Sequence, residues 1–250
     1  TVNKNTPTLG GMASITKTYG DANFTITPPT SNSTGAFSYV SSDTNVATIN
    51  GSTVTIVGAG TATITSTQAT DANYLSANTS TVLTVNKSPL SLGAITPITK
   101  NYGDANFVIT APVTSSTGAI TYTSSNPAVA TIVGSTITIV GIGTTTITAT
   151  QATDANYLSG STTTTLVVNK ALPTISPMTS ITKTYGDANF NIATPTSNST
   201  GAITFTSSNT NVATISGNTI TIVGAGTATI TATQAADANY DPGSSSFLLT

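Results

Sequence analysis

The chain copies itself at a fixed period, and that constrains its fold more than any other feature. Ile15 to Phe24 returns unchanged at Ile181 to Phe190, and returns at Ile98 to Phe107 with one change, Asn101. Tyr19, Tyr102 and Tyr185 set a period of 83 residues. The same offset relates Asp71–Tyr74 to Asp154–Tyr157 and Asp237–Tyr240, and Val2–Lys4 to Val85–Lys87 and Val168–Lys170. No insertion or deletion separates the copies. Surface loops tolerate length changes easily, so equal loop lengths point to recent duplication.

The organisation read from this period is a tail of a preceding repeat at 1–4, then repeats at 5–87, 88–170 and 171–250, the last strand of the third being truncated. The chain thus reads as a segment of a longer array. A parent sequence with no further copies would count against that.

Within repeat 1, apolar residues alternate with Thr and Ser in short runs, the period-2 pattern of half-buried strands. Val54, Ile56, Ala62 and Ile64 are expected to face the core. Asn50–Gly51 reads as a type I′ hairpin turn, which needs positive φ at both central residues. Strands are expected near 6–9, 12–18, 23–27, 36–41, 46–49, 52–57, 60–68 and 80–86, one or two of them forming a split edge strand. Turn signals between such short strands fit a sandwich. Tyr19, Phe24, Phe37 and Tyr74 are the large side chains available for its core. The expected fold class is therefore all-β, with three tandem immunoglobulin-like β-sandwich domains in an elongated rod. The short links Asn86–Pro89 and Asn169–Pro173 lack Gly and contain Pro, which favours stiffness.

Composition excludes several functions. The chain has no Cys, His, Trp, Glu or Arg, and only six Lys and eight Asp. A charged share of 6 % leaves hydroxyls and amides to wet the surface. A net charge of −2 argues against nucleic acid, which demands a clustered basic face. No apolar run is long enough to span a membrane. Without His, nucleophilic catalysis lacks its usual base, so no enzyme is expected.

Val46–Ile49, Gly51 and Val54–Thr65 together resemble the bacterial Ig-like domain group 2 pattern. The lead-in Lys17–Phe24 and the trailing Gln68–Tyr74 resemble a subtype common in very long repetitive surface proteins of bacteria. The resemblance covers essentially the whole chain, three times over. It implies a β-sandwich, export, and roles in adhesins, surface layers, fibres or phage structural proteins, with no catalytic residue. The expected function is a structural spacer of an extracellular or cell-surface protein. The alternatives are an adhesive module recognising glycan or protein, and a self-assembling filament subunit. Expected partners are neighbouring repeats of the same chain, other copies of itself, or a cell-surface glycan or protein.

No catalytic or cofactor-binding residue is expected. Calcium is the one metal the residue pattern admits, with Asp21, Asp71, Asp104, Asp154, Asp187 and Asp237 as candidate ligands. Each lies beside Asn or near Gly, and two Asp with Asn and backbone oxygens at one end of a sandwich would make a weak site. The competing reading is that these aspartates form Asx turns with their own loops. Lys17 and Lys87 recur, but an isopeptide bond needs a carboxyl beside a buried Lys. They read instead as solvated or as guards of a strand edge.

Overall fold

The computed structural model describes residues 2–250. The described residues form strands and turns only, and no helix is long and apolar enough to cross a membrane. In repeat 1 the strands are β1 (Ile15–Thr18), β2 (Phe24–Thr25), β3 (Phe37–Ser41), β4 (Ala47–Asn50), β5 (Thr53–Ile56), β6 (Gly60–Gln68) and β7 (Ala77–Asn86). They make one sheet in the order β1-β7-β6-β3 and another in the order β2-β5-β4. Alternation decides what lies between the sheets. Ala47 and Val54 from the small sheet meet Ala62, Ile64, Leu83 and Val85 from the large one, and all six are buried. The intervening Thr53, Thr55, Thr61 and Thr63 are exposed. Full burial of a side chain such as Ile64 or Leu83 is worth roughly 2 kcal/mol. Each repeat is thus a β-sandwich held mainly by small aliphatic side chains, with Phe247 also buried in the core of repeat 3.

Repeat 2 gives β8 (Ile98–Asn101), β9 (Phe107–Val108), β10 (Ile120–Ser124), β11 (Ala130–Val133), β12 (Thr136–Ile139), β13 (Gly143–Gln151) and β14 (Gly160–Asn169). Their sheet orders are β10-β13-β14-β8 and β11-β12-β9. Repeat 3 gives β15 (Phe190–Asn191), β16 (Ile203–Ser207), β17 (Ala213–Ser216), β18 (Thr219–Ile222), β19 (Ala228–Gln234) and β20 (Gly243–Leu249). Its sheets are β16-β19-β20 and β15-β18-β17, and a lone parallel bridge from Ile181 to Leu249 replaces the first strand.

By contact the chain divides into two compact units. The first joins Thr1–Ala94 with Ala111–Thr121 and Ala149–Thr162. The second joins Ile95–Thr110, Tyr122–Thr148 and Thr163–Thr250. The first therefore holds the whole joint from repeat 1 to repeat 2, and the second holds the joint from repeat 2 to repeat 3.

Three local expectations need correction. The hairpin register pairs Asn50 with Thr53, so the loop is Gly51–Ser52, not Asn50–Gly51. Of the two loop residues only Gly51 has positive φ, at 60°. Glycine at the first loop position is the II′ pattern. That explains why Asn50 gives way to Val133 and Ser216 in the other repeats while Gly134 and Gly217 stay. Residues 6–9 form no strand. Isolated bridges at Asn5 and Leu9 flank Pro7, which has no N–H for a ladder. Nor do aromatic rings fill the core of repeat 1. Tyr19, Phe24, Phe37 and Tyr74 are half-buried around its margin, and Ile56 is half-buried too.

Candidate functional site: the joint between repeats

Two turns build the site. The first is Thr18–Asp21, closed by the Asp21 N–H donating to the Thr18 carbonyl at 3.0 Å. Gly20 has φ 93°, the conformation that the third position of a type II turn requires. The Asp21 carboxylate accepts the Thr18 N–H at 2.9 Å, so the turn is tied twice. Tyr19 sits at its tip. Asp104 and Asp187 repeat the arrangement, accepting from Asn101 and Thr184.

The second turn is Asp71–Tyr74. One oxygen of Asp71, Oδ1, accepts the N–H groups of Asn73 and Tyr74, each at 2.8 Å. The other, Oδ2, accepts the Thr34 N–H, the Ser33 hydroxyl and the Thr34 hydroxyl. Donation from the Thr34 backbone above all, then from Asn73 and Ser33, holds the carboxyl far below the usual carboxylate range. Asp154 and Asp237 do the same, with Ser116 and the Thr200 backbone as the leading donors. Beneath this turn lies Gln68, fully buried, whose amide donates to the carbonyls of Ser33 and Gly35 and whose oxygen accepts from Ser31. Gln151 and Gln234 are buried in the same role. Gly35 passes so close to the strand end that a Cβ there would lie 1.9 Å from the Ala69 carbonyl oxygen.

The joint brings the first turn of one repeat against the second turn of the next. Strand β7 ends at Asn86, one residue before the boundary. Past Asn86 the chain runs on, and Ser88 bridges in parallel to Tyr157, donating to the Asn156 carbonyl and accepting from the Leu158 N–H, both at 2.9 Å. The Lys87 ammonium donates to the Asp154 carbonyl. The Asn156 side chain accepts the Ala59 N–H at 2.9 Å. The Tyr19 and Tyr157 rings meet edge to face with centroids 5.4 Å apart. The second joint repeats this: Lys170 donates to the Asp237 carbonyl at 2.6 Å, and Tyr102 meets Tyr240 at 5.5 Å. Lys4, from the leading segment, holds the Asp71 carbonyl in the same way at 2.6 Å.

This geometry separates residues that the sequence reading placed together. Asp21 lies by the Asn86 end of β7, since Tyr19 donates to the Asn86 carbonyl. Asp71 lies before the Ala77 end. A strand of ten residues puts them roughly 30 Å apart. Asp21 and Asp71 therefore do not share one end of a sandwich. Among the described residues no three acidic side chains gather as metal ligands. Lys17 is not idle either: its ammonium lies over the Phe24 ring, 5.0 Å from the centroid, as do Lys100 over Phe107 and Lys183 over Phe190. Gln68 and the tyrosine pairs escaped the sequence reading. Their gapless return every 83 residues was the available signal.

No protein-family model matches the chain, and no curated protein matches it in sequence. Among solved structures, a Drosophila N-cadherin fragment, EC1-4, aligns with 99 % of this chain and 76 % of its own at 11 % identity and TM-score 0.33. The immunoglobulin domains 1–5 of Sidekick-1 align with 100 % of this chain and 60 % of their own at 13 % identity and TM-score 0.38. Likenesses this distant assign the chain to neither family.

Proposed function

We propose that this chain is a run of non-catalytic spacer repeats from an extracellular surface or fibre protein. The repeated joint carries the reading. A chain that passes from the last strand of one sandwich straight to a bridge on the next, fixed by a Lys–carbonyl bond and a tyrosine pair, favours stiff succession over free hinging. A sparsely charged, hydroxyl-rich surface and carboxylates already occupied by backbone and hydroxyl donors support a mechanical role rather than a chemical one. The bacterial Ig-like resemblance is consistent with it. Under this reading the three repeats form three domains in line, each adding about 35–45 Å.

Small-angle scattering on the intact chain tests this. The expected maximum dimension is about three repeat lengths with a rod-like cross-section, and Lys87→Met combined with Tyr157→Ala broadens the distance distribution. A compact wild type, or one already as flexible as the variant, rejects the spacer role.

A further inference from the structure

Both sulfur atoms of the chain occupy one position of the repeat. Met12 and Met178 are separated by two periods, and Ile95 holds the same place in repeat 2. The position lies where the chain crosses towards the large sheet. In repeat 1, Leu9 bridges antiparallel to Ser31, and the Gly10 N–H donates to the Thr30 carbonyl at 2.8 Å. From Ile15 the chain joins the large sheet, in parallel beside β7. The stretch between is tied by the Thr81 hydroxyl, which donates to the Ala13 carbonyl at 2.8 Å. Met12 sits in this crossing, half-buried and packed against the core. It also lines an open groove of about 400 Å³ with Ile15, Phe24, Ile26 and Pro29.

Repeat 3 makes the same crossing. Ile175 bridges antiparallel to Ser197, and Ile181 bridges in parallel to Leu249. Met178 packs half-buried against the core and lines an open groove of about 310 Å³ with Ile181, Ile192, Pro195 and Phe247. One groove belongs to a repeat with a neighbour after it, the other to a repeat with a neighbour before it, so the groove is a property of the repeat itself. In repeat 2 the equivalent Ile95 is buried. A thioether at this position touches the core and also reaches an open groove. It is the side chain that a peroxide converts to the sulfoxide once it can approach the sulfur. With no Cys, Trp or His in the chain, no comparably oxidisable group competes for the reagent.

We propose that Met12 and Met178 are modification sites for small hydroperoxides, and that their oxidation loosens the sheet crossing of repeats 1 and 3. The sulfur attacks one oxygen of the peroxide. An S–O bond forms and the O–O bond breaks; the sulfur gives up two electrons and the peroxide takes them. The proton on the transferred oxygen passes to the departing hydroxide, which leaves as water. The product sets a strongly polar S–O group beside Ile15 and Ile26 in repeat 1, and beside Ile181 and Ile192 in repeat 3. A polar group held against apolar carbon without a partner is costly, so the crossing opens to let water reach it. Repeat 2 has no sulfur at this position and keeps its crossing closed. This lability rests on the groove and does not depend on the spacer role.

Hydrogen peroxide on the intact, folded chain tests it. Mass spectrometry should show two oxygen atoms added, mapped by peptide to Met12 and Met178, while circular dichroism still reports the native strands. Melting temperature should fall by roughly 4–8 °C, the shift that a domain of repeat size shows for a modest loss of stability. Hydrogen exchange should rise at residues 11–15 and 24–29 and at 177–181 and 190–195, and stay level around Ile95. The two methionine sulfoxide reductases, one for each sulfur epimer, should restore the original melting temperature. Leucine nearly keeps the volume and removes the sulfur. Met12→Leu and Met178→Leu should each take up one oxygen; the double variant should take up none and melt unchanged after peroxide. Methionines that react only in urea would overturn the inference. So would full oxidation with melting and exchange unchanged, or a double variant that peroxide still destabilises.

Discussion

Tyr19 and Tyr157 meet edge to face at 84° across the first joint, and Tyr102 and Tyr240 reproduce the contact at 89° across the second. Each ring is presented by a turn tied through an aspartate. The pair is thus the point where two separately stiffened loops touch. Edge-on aromatic pairs contribute about 0.5–1.5 kcal/mol beyond the area they bury. A double-mutant cycle of Tyr19→Phe/Ala and Tyr157→Phe/Ala, followed by urea unfolding, should return a coupling in that range for the alanines and near zero for the phenylalanines. Additive alanine effects would show that the rings are neighbours without mutual stabilisation.

Acid should destabilise the protein through Asp71, Asp154 and Asp237. Their folded-state carboxyls titrate below the ordinary value of about 3.9. The stability they add is therefore complete above that ordinary value and is lost as pH falls through the lower folded value. The chain has no His or Cys, so no side chain ordinarily titrates between about 5 and 8. Melting temperature should be level across that span and drop steeply below about 4. Asp71→Asn should lower it at neutral pH and flatten the acid slope.

Calcium should leave the melting temperature where it is. A cation at Asp71 would have to displace five protein donors already on its two oxygens. Calorimetry with millimolar calcium against chelator measures this directly. A stabilisation that saturates with calcium would refute it.

Ser66→Ala should be neutral or stabilising by up to about 1 kcal/mol. The Ser66 hydroxyl is buried opposite Tyr39 on the neighbouring strand, and neither oxygen has a hydrogen-bond partner. Ala149 and Ala232 occupy the position in the other repeats. Denaturant midpoints should show it, and a clear loss of stability would mean the hydroxyl is satisfied in solution.

Gly35→Ala should cost about 1–3 kcal/mol, the usual penalty for forcing atoms into filled space. The added methyl would collide with the Ala69 carbonyl, a backbone atom that cannot swing aside. It would also move the Gly35 carbonyl off Gln68. Gly118 and Gly201 face the same clash at 2.0 and 1.9 Å, so the loss should recur in every repeat.

Much of a single repeat could be read locally. Val54, Ala62 and Ile64 are buried as the alternation demands, because side-chain direction in a strand depends only on parity. The Gly51 turn shifted by one residue because register is set by cross-strand pairing, which the turn residues alone do not specify. The joint was harder to see. Tyr19 reads as core within its own repeat, and its partner lies in the next one. The rings come together where the chain past Asn86 bridges through Ser88 to Tyr157. Asp71 admits both a calcium-ligand and an Asx-turn reading from sequence, because both tasks need a carboxylate beside small, flexible neighbours; in the structure its oxygens accept from the turn and from Ser33 and Thr34.

The pairing of β1 with β7 bears on how the molecule answers a pull. The two strands run parallel, with Ile15 beside Leu83 and Thr18 beside Asn86, and tension enters the repeat near its first strand and leaves along its last. Stretching the chain would slide these strands lengthwise past each other, loading their hydrogen bonds together rather than peeling them one at a time. A tether built from such repeats resists rupture by shear.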